Sequence, residues 1–336
     1  MPTQEHLRTA MNEMARSTDA LSPTVVLHAA RRRQTHRRLL AAVVTAAAVT
    51  AVSIGVAVAT PSRPPDGPAP ADTGDAGQAL RDSVAALRGG NYTFTRTGTS
   101  SIADIQRAAV HLPDSVLLQH ASSFVMVRAG SDTYLRYLLN GGPELRAQYR
   151  QYYKENLKAA DVRKIDEVYS HLDGEHWVRA DEKKLTEAAA VDEQSGLDYM
   201  AQMPTTEQPD ATGAGSLIAA VTSAERAGNV ITGTLDATKP DPLLELMFSD
   251  PTYLYGVGAK SMPYRATLDD QGRLTEFTVT MPDHRMASQP ADPVQPEPPL
   301  VIRISEYGRT EAQSPPAQIS GELSSLAYEL LARDTD

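Results

Sequence analysis

The sequence predicts an α+β domain, an antiparallel sheet with helices between some of its strands, behind one N-terminal transmembrane helix. Three features of the chain support this fold class: a long uncharged run, stretches in which apolar and polar residues alternate, and tight-turn sequences that join those stretches. Alternation with a period of two is typical of strands with one buried face, and strands joined by short turns pair antiparallel. The helical stretches are bunched between groups of strands, which favours α+β over a parallel α/β sheet.

The uncharged run covers residues 39–59, 21 positions in all. As a helix it is about 30 Å long, the thickness of the hydrocarbon layer of a bilayer. Five arginines precede it: Arg31, Arg32, Arg33, Arg37 and Arg38. Because basic residues on a short flank stay in the cytoplasm, we expect a single-pass protein of a bacterial cell membrane. Residues 1–38 are then a cytoplasmic leader, and the main domain is extracytoplasmic.

The same run has a second interpretation as a cleaved export signal. Ala57, Val58 and Ala59 form a small-x-small cleavage pattern just before Thr60. Signal peptides usually have a shorter apolar core and a shorter segment before it, which favours a retained anchor. Both interpretations place the following domain outside the cytoplasm.

Composition after the run limits the partners of the exported part. Residues 60–77 contain five prolines and predict a stiff, hydrated tether, followed by a domain over residues 78–336. From residue 60 onward the chain has 25 Lys and Arg against 39 Asp and Glu, a net charge of −14. Such an acidic domain does not match nucleic acid. The chain has no Cys, which excludes disulfides, thiolate nucleophiles and Cys-ligated metals.

The alternation of residue types places the elements of this domain. Strands are predicted over residues 91–98, 116–128, 133–139, 175–179, 229–237, 263–269, 273–281 and 300–306. Helices are predicted over residues 78–88, 143–160, 181–190, 216–227 and 322–332. Residues 203–215 and 281–299 are predicted loops.

Four short sequence patterns lie at the turns and strand ends of these predicted elements. They are Asp173-Gly174-Glu175-His176-Trp177-Val178, then Gly233-Thr234-Leu235-Asp236, then Pro263-Tyr264-Arg265-Ala266-Thr267-Leu268-Asp269 with Gly272-Arg273-Leu274, and finally Ile304-Ser305-Glu306-Tyr307-Gly308. Together they resemble the LolA-like half-barrel domains of actinobacterial envelope proteins, the LppX/LprAFG group, over residues 78–317. The resemblance implies a curved antiparallel sheet with helices over its concave face, and a bound acylated lipid between them. The chain lacks the lipidated Cys that anchors those proteins, and a transmembrane helix takes its place.

Six side chains are predicted to line that cavity or, on the alternative interpretation, to form ordinary core. They are Phe94, Phe124, Tyr134, Leu138, Trp177 and Phe277. Large apolar and aromatic side chains serve equally well in both settings.

Catalytic and metal chemistry has little support in the sequence. His171 and His176 flank Asp173 and Glu175, but on a strand the two histidines point to opposite faces, so a polar turn is favoured over a metal site. Residues 213–216, Gly-Ala-Gly-Ser, precede a predicted helix and could hold an anion, but they lack the lysine of a phosphate-binding loop. We therefore expect a loop and a helix cap there, and neither enzymatic activity nor a cofactor.

Two functions remain open from the sequence. The first is a membrane-anchored module that binds a lipid or other apolar small molecule. The second is an envelope-stress sensor or regulatory module similar to RseB-type proteins, in which residues 1–38 meet a cytoplasmic protein such as a sigma factor.

Overall fold

The computed structural model describes residues 73–98, 104–120, 124–139, 143–189, 203–248, 251–282 and 297–332. The predicted leader, the transmembrane helix and residues 60–72 of the predicted tether lie outside these ranges. None of the helices within the described ranges combines the length and apolar character that a membrane span needs.

The domain is α+β, as predicted, and is built on one curved, open, antiparallel sheet of eleven strands. The strands are β1 (Asn91–Thr97), β2 (Ile105–His111), β3 (Ser115–His120), β4 (Phe124–Ala129), β5 (Asp132–Tyr137), β6 (Val178–Ala180), β7 (Val221–Ala227), β8 (Val230–Leu235), β9 (Met262–Leu268), β10 (Leu274–Val279) and β11 (Leu300–Ser305). Their spatial order is β6-β5-β4-β3-β2-β1-β11-β10-β9-β8-β7. Nearly every connection is therefore a step to the neighbouring strand. The exception is the connection from β6 to β7, which lie at opposite edges of the sheet, and as a result the last strand, β11, pairs with β1.

Short helices fill the connections. They are α1 (Thr73–Ser83), α2 (Pro143–Asn156), α3 (Ala159–His171), α4 (Glu182–Ala189), α5 (Ala214–Ala219), α6 (Pro242–Phe248), α7 (Pro251–Tyr255) and α8 (Ser325–Leu331), with 3₁₀ turns at Ala85–Gly89 and Gly256–Ser261. Residues 151–163, the end of α2 and the start of α3, group apart from the sheet-containing unit.

Several predicted boundaries are wrong. The predicted strand over 116–128 is two strands, β3 and β4, and β2 was not predicted at all. The predicted helix over 216–227 ends at Ala219, and residues 221–227 are β7, because their backbone groups pair with β8. The last five residues of the predicted tether, 73–77, begin α1.

The pairing register divides the sheet into an inner face and an outer face. On the inner face lie the side chains of Tyr92, Phe94, Ala108, Leu118, Met126, Leu135, Phe277 and Ile302, each at most 2 % exposed. On the outer face of the sheet lie Thr93, Thr95, Thr232, Arg265, Thr267, Glu276 and Arg303. Much of the apolar core thus lies between the inner face and the elements that cover it, and the outer-face residues Ala109, Val127 and Tyr134 are buried as well.

The chain after β11 crosses the outer face as an extended segment, residues 306–323, here called the outer strap. Its Thr310 is held at the start of β1, where the Thr310 amide donates to Asn91 Oδ1 over 2.8 Å. Further along, the Gln313 amide donates to Ser115 Oγ of β3 over 2.7 Å. The strap ends beside β6, where the Arg179 amide donates to the Gly321 carbonyl. It therefore covers the free edge of β6 and leaves β7 as the opposite edge of the sheet.

Candidate functional site

The inner face is the candidate site, because it is where the predicted ligand would lie. Of the six predicted lining residues, Phe94, Phe124 and Phe277 do lie on this face, and they are 2, 1 and 0 % exposed. Their rings are enclosed by neighbouring atoms on all sides. The inner face is closed in this structure.

The other three predicted residues lie elsewhere. Tyr134 is on the outer face, because its strand neighbours Thr133 and Leu135 point inward. Leu138 follows β5 and bridges to Asp173 at the strand's end. Trp177 is half-buried with the Arg136 guanidinium 5.2 Å from its ring centre, a cation–π contact. Three of the six predicted residues therefore lie on the inner face, and the other three do not.

A non-helical segment, residues 203–213, here called the inner strap, runs over the inner face. Three side chains of the sheet hold its main-chain carbonyls. Arg128 Nη2 donates to Pro204 O over 2.5 Å, Tyr92 Oη donates to Pro209 O over 2.5 Å, and Arg96 Nη1 donates to Thr212 O over 3.1 Å. A buried irregular segment needs such partners, since its peptide groups have no ladder to join.

The strap turns into α5 around the carboxylate of Asp210. Oδ1 accepts from the Thr212 amide and hydroxyl over 2.8 and 2.6 Å, and Oδ2 accepts from the Gly215 amide over 3.0 Å. The Ala214 amide donates to Thr212 Oγ1 over 3.0 Å. The chain's own side chains thus take the amides at which the sequence allowed an anion site. The predicted loop with a cap at Ser216 is wrong: α5 begins at Ala214, its N-cap residue is Gly213, and Ser216 lies inside the helix.

Arg96 is the most unusual side chain of the face, because it is charged and 0 % exposed. Burial lowers the pKa of its guanidinium to about 10, while the negative charges of Asp104 and Asp210 act in the opposite direction. Burial also raises the pKa of Asp104 to about 6, although the Gly98 amide, 2.8 Å from Oδ1, and the charge of Arg96 favour its ionised form. The three groups form a charge cluster beneath the inner strap.

Tyr92 completes this cluster from the first strand. Its phenol oxygen donates to Pro209 O and accepts from the Ala211 amide over 2.9 Å. Burial, and next the charge of Asp210, raise its pKa, so the phenol stays protonated and keeps both bonds. Sequence reasoning overlooked Tyr92 and Arg96 as a pair, although a signal existed: both fall on the buried phase of a strand whose other phase is Thr93, Thr95 and Thr97.

The histidine group of the sequence forms a turn. His176 Nδ1 lies 2.7 Å from Asp173 Oδ2, and Asp173 Oδ1 accepts from the Glu175 and His176 amides. His171 ends α3, and its Nε2 lies toward Gly321. Across the described ranges no group of three or more His, Asp or Glu side chains is arranged to hold a metal ion.

Replacing Tyr92 with Phe is expected to loosen the inner strap while keeping the ring. The Ala211 amide and the Pro209 carbonyl lose their partner inside the fold, which costs about 1–3 kcal/mol in the free energy of unfolding. Urea unfolding measures the loss, and amide exchange should rise at Ala211. Tyr307→Phe is the control, since its phenol donates to Leu274 O of β10 and not to the strap. Equal exchange at Ala211 in both variants contradicts the role of Tyr92.

Searches against protein-family models and against curated proteins find no match to this chain. The argument for function therefore depends on the chain's own geometry.

Proposed function

We propose that this protein is a non-enzymatic, membrane-anchored binding module with a LolA-like half-barrel domain outside the cytoplasm, and that it binds a lipid or other apolar ligand. One observation carries the proposal: a wide apolar face of a curved, open sheet is covered by short helices and a strap rather than by a second sheet. Such covers are attached locally, so they can part from the sheet without breaking its ladder.

The ligand would lie between the inner strap and the sheet. The apolar side chains of the neighbouring strands β3, β2, β1, β11 and β10 offer a continuous surface for an acyl chain. Burial of such a chain is favourable by roughly 25 cal/mol per Å². Because the rings of Phe124 and Phe277 are sealed in this structure, binding requires the strap to move outward. The strap's bonds to Tyr92, Arg96 and Arg128 then set the energetic cost of opening.

The anchor belongs to the same proposal. Residues 39–59 would hold the domain at the membrane, with the arginine cluster before them in the cytoplasm. A fixed module of this kind would take lipid from the membrane, pass it on or report its presence, and would not carry it across the envelope alone.

An aromatic ring placed on the inner face tests ligand binding. Ala108 is 0 % exposed and lies between Phe94 and Leu118 on the inner face. We expect that the full-length protein, purified from membranes, releases an apolar molecule into solvent extracts, and that Ala108→Phe lowers its yield several-fold by occupying its place. Mass spectrometry of the extracts measures the yield.

The control for that test is Thr95→Phe, which adds a similar ring on the outer face opposite Arg303. It should leave the yield unchanged. If the parent protein releases no apolar molecule, and Ala108→Phe only lowers the melting temperature, the inner face is plain core, because overpacking a close-packed core costs about 1–3 kcal/mol.

A second candidate function is supported by the closed inner face. A domain in which Phe94, Phe124 and Phe277 of the predicted cavity are at most 2 % exposed is also suited to act through its surface, as a regulatory module with protein partners. In that case a cytoplasmic protein should be cross-linked to residues 1–38 in cells, and removal of those residues should abolish the cross-link. Recovery of a bound lipid without any cross-linked protein favours the first function.

A further inference from the structure

We propose that the turn at Gly256–Ser261 touches the surface of an anionic lipid bilayer, with Val257 as its apolar contact. The proposal depends on the anchored topology proposed above, and it adds the surface through which the domain meets the membrane. Val257 is 90 % exposed, and Ile319, at 44 %, is the other exposed large apolar residue among those the structure describes. An apolar side chain this exposed gains by leaving water.

The local backbone presents Val257 outward. It stands between Gly256, at a positive φ of 54°, and Gly258, so the chain reverses at this residue with little side-chain cover of its own. The preceding α6 buries Leu244, Met247 and Phe248, α7 ends on the buried Tyr255, and Ala259 of the turn is 0 % exposed. The exposed side chain is therefore the apex of a segment whose base is firmly packed.

Charge distinguishes this turn from the rest of the exported chain. Residues 251–268 contain no Asp or Glu but contain Lys260 and Arg265, in a part of the protein with a net charge of −14. Lys260 and Arg265 are both exposed. Two acidic groups border the turn: Glu297, whose carboxylate accepts from the Tyr255 phenol over 2.7 Å, and Asp236, whose pKa is lowered first by the Thr238 hydroxyl and further by the charge of Lys260. An acidic domain is repelled by an anionic bilayer, and this cationic, apolar turn is where the repulsion is relieved.

The turn has a defined place in the sheet. It lies at the end where Leu235 of β8 pairs with Met262 of β9. Helix α1 contacts β7 and α5 and leads through Gly90 to β1, which begins at the opposite end of the sheet.

The tether also limits how far the domain can move away. Between the predicted span and Thr73 stand residues 60–72, which extend to about 40 Å at most as a polyproline-like chain. Within that distance even a weak contact is populated, because tethering makes it intramolecular. One valine and two cations are then sufficient to orient the domain.

The test uses the absence of Cys from the whole chain, which makes any introduced Cys a unique labelling site. Full-length Val257→Cys carries an environment-sensitive fluorophore and is reconstituted into vesicles of equal phosphatidylcholine and phosphatidylglycerol. We expect the emission to shift to the blue and to be quenched by lipids with a spin label high on the acyl chain. The matched control is Gln271→Cys, in the turn after β9, at the far end of that strand from Val257. Its label should stay in water.

Two further measurements distinguish a failure of the membrane contact from a failure of the anchor or of ligand binding. Lys260→Glu in the Val257→Cys protein should reduce quenching in the phosphatidylglycerol vesicles, and high salt should do the same. If protein that pellets with the vesicles shows no more quenching at position 257 than at 271, the contact does not exist. If the protein does not pellet with vesicles at all, the predicted membrane anchor is wrong, and the proposed contact, which depends on it, is wrong as well. If the label at position 257 is quenched but the purified protein yields no bound lipid, the membrane contact is supported and the ligand-binding function is contradicted.

Discussion

Replacing Gly233 with Ala should destabilise the domain by about 3 kcal/mol, the upper end of what overpacking usually costs. A Cβ atom built on Gly233 lies 2.0 Å from the Ser223 carbonyl oxygen and 3.1 Å from Cε1 of Tyr264. The first contact is with backbone, which cannot rotate away as a side chain would. The strands β7 and β8 must therefore separate locally to admit one methyl group.

The glycine is required because an aromatic ring lies across it. Tyr264 of β9 pairs with Gly233, its ring stacks on Phe277 with centres 5.1 Å apart, and its phenol donates to Ser223 O over 3.1 Å. That carbonyl is displaced toward the ring because the register between Val221 and Ser223 is shifted by a bulge. The ring covers the bare strand, and a side chain at position 233 would displace it.

Thermal unfolding of Gly233→Ala measures the effect, and we expect the melting temperature to fall by roughly 6–12 °C for a domain of this size. Gly89→Ala is the control, since a Cβ there meets nothing within 4 Å and its backbone is not in the left-handed region. It should remain within about 0.5 kcal/mol of the parent. A Gly233→Ala protein as stable as the Gly89→Ala protein contradicts the packing of Tyr264 over β8.

The same region shows what the sequence could and could not predict. The strands around Gly233 and Tyr264 were predicted because apolar residues alternate there and turns bound them. β7 was predicted as helix, because Ser216 resembles a helix cap and Ala, Glu and Arg residues continue the pattern. Its strand conformation comes from pairing with β8, a contact that no local pattern encodes.

The candidate site was predictable only in part, for a related reason. Phe94 and Phe277 follow a clear alternation, so their side of the sheet could be inferred. Tyr134 lies in a strand with apolar residues on both faces, so the sequence does not indicate which residues of that strand face inward. In the structure Tyr134 points outward. The sequence of the inner strap is typical of a polar loop. Its contacts with the sheet could not be predicted, because its partners Tyr92, Arg96 and Arg128 are distant in sequence.

Replacing Arg96 with Met should have a comparable or larger effect, about 3–5 kcal/mol at pH 8, because it leaves buried groups without their charge partner. Thr212 O loses a donor, and Asp104 loses the cation that favours its ionised form. Met fills a similar volume without a charge, so the loss of unfolding free energy measures the effect of the missing charge rather than that of a cavity. Urea unfolding, with CD to confirm the native sheet, measures it.

The pH dependence identifies Asp104 as the partner. In the folded protein its pKa is about 6, above the usual value of an aspartate, so folding binds a proton between about pH 4 and 6 and its contribution to stability falls as the pH rises through that window. Without Arg96 the pKa rises further, and the window extends toward neutral pH. The stability difference between parent and Arg96→Met should therefore be smaller at pH 5.5 than at pH 8, by about 1–2 kcal/mol after allowance for solvent screening.

The control is Asp104→Asn in both backgrounds, since the amide has a similar shape and does not titrate. In the Arg96→Met/Asp104→Asn protein the difference between pH 5.5 and pH 8 should disappear, and part of the stability lost at pH 8 should return. Asp210 does not replace Asp104 in this role, because the Thr212 amide and hydroxyl and the Gly215 amide already bind its carboxylate. A loss that is equal at both pH values, and unchanged by Asp104→Asn, means that Arg96 acts only through the strap carbonyl at Thr212.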